Sequence, residues 1–84
     1  MDAETVKAKV QAELPEAQVV VQGEGDRFGV LVVAQEFEGM PKVKQHRKVY
    51  AALGEELKSQ VHALEVKTFT PDQYRAMVEA NNPS

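Results

Sequence analysis

Two imidazoles, His46 and His62, stand in this sequence without a single cysteine beside them. The missing thiols exclude disulfides, thiolate nucleophiles and any zinc or iron-sulfur site made wholly from the chain's own sulfur. A metal held here has to lean on His, Asp, Glu or a partner. None of the 13 acidic residues is set apart by spacing as an acid/base pair, and the neighbours Glu55 and Glu56 read as solvated surface. There is no Gly-x-x-x-x-Gly-Lys phosphate loop, no His-Glu-x-x-His and no Gly-x-Ser-x-Gly. Catalysis has nothing to work with, and the chain reads as a non-enzyme.

Positive charge gathers at Lys42, Lys44, Arg47 and Lys48. On a helix, residues 44, 47 and 48 share one face. Such a face grips phosphates or an acidic partner, or it merely keeps an exposed helix in solution, and on a chain of net charge −3 the two readings stand level. The negative total argues against a protein that coats nucleic acid by overall charge, because non-specific binding is driven by phosphate neutralisation.

The elements that must position these residues follow from periodicity and punctuation. Val6, Val10 and Leu14 recur every four residues, an amphipathic helix that Pro15 ends. Ala17 to Gln22, with three valines, favours a strand. Gly23-Glu-Gly-Asp-Arg27 suits a hairpin loop, and Phe28 to Ala34 is the return strand, with Phe28, Val30 and Val32 on one face and Leu31 and Val33 on the other.

Gln35 to Met40 reads as a connection, and Pro41 opens a helix from its first turn. Val43, His46, Tyr50, Leu53, Leu57 and Val61 give that helix a long apolar stripe, which Gly54 divides into two helices. His46, within the stripe, reads as a packed side chain before a ligand. A third strand alternates from Ala63 to Phe69, and His62 precedes it with the parity of Leu64 and Val66. From the residues alone, His62 at that strand end is a hydrogen-bonding side chain more readily than a ligand. The last helix has Thr70 as N-cap, Pro71 at its first position and Gln73 at its third, with Tyr74, Met77 and Val78 on its apolar face.

The expected fold is therefore α+β in the order αββααβα. The first two strands form an antiparallel hairpin, and a right-handed helical crossover sets the second and third parallel. The result is a three-stranded mixed sheet with helices on one face. At 84 residues, 43% hydrophobic and 27% charged, the chain is expected to be one domain, with a core over about residues 3–80. No apolar run approaches the roughly 18 residues of a membrane span, and the start Met1-Asp2-Ala3-Glu4 is unlike a signal peptide, so a cytoplasmic protein is expected.

The blocks Phe28-Gly-Val-Leu-Val-Val, Phe37-Glu-Gly-Met, Val43-Lys-Gln-His-Arg-Lys-Val-Tyr50, Val61-His-Ala-Leu64 and Thr68-Phe-Thr-Pro71 resemble, in order and spacing, those of the BolA family. The resemblance spans about residues 5–76 and implies a fold similar to the class II KH fold. It also implies an adaptor in iron-sulfur cluster trafficking and iron homeostasis that works with a monothiol glutaredoxin. The two pair either without metal or around a bridging 2Fe-2S cluster, held on the glutaredoxin side by a cysteine and glutathione.

By the same resemblance the histidine of the Val-His-Ala-Leu block, here His62, is a cluster ligand, and imidazole ligation generally raises the reduction potential. The family's second ligand, a histidine or cysteine in the first hairpin loop, has no counterpart in residues 23–27. Asp26 or a moved His46 would have to substitute, or the cluster is held less tightly, or the main complex is metal-free. Alone, the chain is expected to be a monomer or a weak homodimer. The family is further linked to transcriptional regulation through the helix containing Val43 to Tyr50. That makes DNA binding through Lys42, Lys44, Arg47 and Lys48 the alternative function, although Gly39-Met-Pro-Lys42 lacks the second glycine of a KH clamp.

Overall fold

In a computed structural model, which describes residues 3–24, 27–60 and 63–81, the chain forms α1 (Ala3–Glu13), β1 (Gln18–Glu24), β2 (Arg27–Val33), a 3₁₀ turn (Gln35–Phe37), α2 (Lys42–Gln60), β3 (Ala63–Phe69) and α3 (Pro71–Ala80). The sheet order is β1-β2-β3, with β1 antiparallel and β3 parallel to β2. This is the expected α+β topology. Parallel pairing of β2 and β3 follows from the helical crossover, which returns the chain to the end of the sheet where β2 began.

The strands run further than the sequence suggests. Gly23 and Arg27, expected in the loop, are paired in the ladder with Phe28 and Glu24. Glycine makes this pairing feasible: Gly23 has φ +125°, and a Cβ there would lie 2.2 Å from the Arg27 carbonyl oxygen.

α1 ends before Pro15, and the Gln11 amide donates to the carbonyls of Leu14 (3.0 Å) and Ala17 (2.8 Å), tying the segment that follows the helix back to its last turns. α2 begins one residue after Pro41, whose carbonyl accepts the first helical bond from Gln45 N–H (3.1 Å); the proline caps the helix rather than entering its first turn. At Gly54 the backbone leaves helical geometry (φ 83°, ψ 163°), so α2 is two helical segments joined by a break, as the order αββααβα requires.

The core lies between the sheet and α1 with α2. Val6 and Val10 of α1, Val30 and Val32 of β2, Phe37 of the 3₁₀ turn, and Val49 and Leu53 of α2 are its most deeply buried members. The expected cover of helices on one face is that of α1 and α2. Tyr74 and Met77 of α3 share a shallow cavity of about 310 Å³ with Val20, Leu31, Lys67 and Phe69, which have the opposite strand parity to the core residues.

The apolar stripe of α2 is corrected in position. Gln45, Val49 and Leu53 are buried, His46 and Tyr50 are half-buried, and Val43 is 63% exposed. Gln45 tolerates burial because its amide donates to the carbonyls of Met40 (2.7 Å) and Phe37 (3.4 Å), tying α2 to the preceding turn. The final helix starts as expected: the Thr70 hydroxyl accepts from Gln73 N–H, and the Gln73 side chain accepts from Thr70 N–H, both at 3.1 Å. Its expected apolar face is not buried, since Met77 and Val78 stay exposed and Tyr74 is half-buried.

Candidate metal and partner site

His62, the expected ligand, lies outside the described residues, as does Asp26. The strand ends next to them are described. Glu24 pairs with Arg27, and Arg27 pairs in turn with Ala63. The end of β1, the start of β2 and the start of β3 thus belong to one end of the sheet.

His46 belongs to the other end. Lys42, at the start of α2, donates its ammonium to the carbonyl of Thr68, the penultimate residue of β3, and lies 4.5 Å from the centre of the Phe69 ring. His46 is one helical turn further on, whereas β3 begins about 20 Å away at its other terminus, counting seven residues at the usual rise. Among the described residues, no group of three or more His, Asp or Glu side chains is placed to hold a metal ion.

The basic cluster is divided by its neighbours. Lys42 is engaged as just described, and Lys48 pairs with Glu36 at 3.0 Å. Lys44 and Arg47 are exposed and have no partner among the described residues. Sequence reading missed the structural task of Lys42 because its partners, Thr68 and Phe69, lie far along the chain. The one visible signal was a lysine immediately after a helix-capping proline. The outer-face cavity offers no paired acid and base: Glu65, its carboxylate, is exposed and bonded to Lys67 at 3.3 Å.

The profile of the BolA-like protein family matches residues 3–73. The chain belongs to that family. This BolA-like chain is 42% identical over 79 residues to BolA-like protein 2 of Homo sapiens, covering 88% of itself and 91% of that protein. It is 34% identical over 58 residues to a protein of Haemophilus influenzae named DNA-binding transcriptional regulator BolA, covering 69% of itself and 56% of the relative. In three dimensions it is similar to a BolA protein homologue of Coxiella burnetii, with a TM-score of 0.76 at 37% identity over 89% of this chain and 97% of the other. Among the described residues, no helix is long and apolar enough to cross a membrane.

Proposed function

We propose that this BolA-like chain is a non-enzymatic cytoplasmic adaptor in iron-sulfur cluster trafficking and iron homeostasis, acting in complex with a monothiol glutaredoxin. The observation that supports the reading is the register Glu24 to Arg27 to Ala63, which sets the described ends of β1 and β2 beside the start of β3 at one end of the sheet. A partner meeting that end reaches all three at once.

A 2Fe-2S cluster takes four protein or thiol ligands. With no cysteine and no acidic or imidazole cluster among the described residues, the chain has too few ligands for a cluster of its own. It fits as the minor contributor to a shared one: His62 would supply an imidazole, and the cysteine and glutathione of the glutaredoxin side would supply sulfur. A cluster held this way would confer electron-carrying or cluster-donating capacity on the complex.

The test is to mix the purified chain with a monothiol glutaredoxin, with and without iron, sulfide and glutathione, and to record absorption and circular dichroism. A spectrum specific to the mixture is expected, and His62→Ala should abolish it while metal-free binding is weakened less. His46→Ala serves as the control. A mixed spectrum unchanged by His62→Ala, or lost only with His46→Ala, would move the ligand elsewhere.

DNA binding is the second reading, favoured by one observation: Lys44 and Arg47 are exposed on neighbouring turns of α2 and have no partner among the described residues. If they contact phosphates, replacing both should flatten the salt dependence of duplex binding by roughly 2 units of slope. Absence of binding by the unmodified chain at low salt ends this reading.

A further inference from the structure

The two free edges of the sheet are finished differently. β3 carries a glutamate and a lysine, Glu65 and Lys67, and the Thr68 carbonyl near its end is occupied by Lys42. Charges, prolines and bulges are the usual devices that keep an edge strand from pairing with another chain. β1 has none of them through its first five residues, Gln18-Val19-Val20-Val21-Gln22, and its pairing with β2 runs without a bulge. Among the described strands its one neighbour is β2.

Those five residues read identically in both directions. Laid antiparallel against a second copy and centred on Val20, Gln18 stands opposite Gln22, Val19 opposite Val21, and Val20 opposite its own counterpart. Such a two-fold arrangement uses the same surface on both chains, as an isologous dimer requires. The side chains already have the right environments. Val19 is buried and Val21 half-buried on the core side, while Gln18, Val20 and Gln22 are exposed on the outer side, Val20 by 47%. Opposed valines are a favourable cross-strand pair, and the glutamines flanking them bring no charge.

We propose that the β1 edge is a self-association surface, at which two copies pair β1 with β1 about Val20 and join their sheets into one. A ladder of one short strand falls well below the roughly 1,200 Å² of a standard interface, so the dimer is weak and forms at high concentration. Two copies that each carry a net charge of −3 repel one another. Salt therefore strengthens this dimer, whereas it would weaken one made through the cations of α2. The inference is independent of the glutaredoxin reading.

Sedimentation velocity of the full chain from micromolar to millimolar concentration, together with amide chemical shifts over the same range, tests it. The sedimentation coefficient should rise with concentration and with salt, and the shift changes should centre on residues 18–22. Val20→Lys sets two ammonium groups opposite each other on an exposed face, so it should stay folded by circular dichroism and amide dispersion yet lose the concentration dependence entirely. Val43→Lys, which removes another exposed valine on α2, should associate as the parent does. The proposal is overturned if the parent is monomeric throughout, if Val20→Lys associates unchanged, if Val43→Lys is the disruptive variant, or if salt dissociates the dimer. A parent monomer that instead takes up a strand from another protein at this edge overturns the second copy as occupant.

Discussion

The two faces of the sheet are held by different physics. On one, α1 and α2 bury a continuous core in which Val6, Val10, Phe37, Val49 and Leu53 are wholly shielded from water. On the other, α3 buries no residue at all, yet its start carries a complete capping box with a proline at its first position. Its capping box, Pro71, the 6.0 Å approach of the Tyr74 and Phe69 rings and the ammonium of Lys42 over Phe69 hold it in place of burial. Local hydrogen bonds and ring contacts thus suffice to seat a short helix, but each contributes far less than a fully buried side chain.

Three substitutions test that contrast, and their effects should descend in order. Leu53→Ala empties a site on the covered face and should cost about 2–5 kcal/mol in denaturant unfolding, through lost transfer energy and the cavity left behind. Thr70→Ala removes the cap on the other face and should cost about 1 kcal/mol. Amide exchange should place that loss in α3 while the amides of β2 keep their protection. Met77→Ala, at a side chain of α3 that stays 37% exposed, should change stability by less than ~0.5 kcal/mol. A Met77→Ala loss as large as that of Leu53→Ala would mean that α3 is held by burial after all, and the contrast would fail. An unchanged midpoint for Thr70→Ala would mean that the ring contacts alone fix α3.

The start of α3 was legible because Thr70, Pro71 and Gln73 act on each other within four residues. The mixed sheet was legible because two valine-rich strands and a helical crossover admit few arrangements. The stripe of α2 was misplaced by a local ambiguity. Gln45 is polar in type but buried, since the carbonyls of Phe37 and Met40 receive its amide, while Val43 is apolar but faces water. Periodicity counts residue types and is blind to a buried polar side chain whose N–H groups are taken by carbonyls of the preceding turn. The basic cluster failed to stay together for a related reason. Spacing put four cations side by side, but Thr68, Phe69 and Glu36, from other parts of the chain, engage two of them. For the candidate site, sequence supplied the identity of His62 by family likeness, and the strand register supplied what no pattern holds, the meeting of the first hairpin with the start of β3.

That register also bears on how quickly the molecule can form. β1 and β2 are separated by only two residues in sequence, so their ladder closes at small entropic cost and can assemble early. β3 can find β2 only after the chain has passed through the 3₁₀ turn and the whole of α2, including the break at Gly54. The parallel ladder pairs residues far apart in sequence, as Arg27 with Ala63, and docking of α2 onto the hairpin is what brings its two strands within reach. The folding barrier therefore lies at the crossover. The end of the sheet where the proposed partner binds is completed last, when Ala63 reaches Arg27.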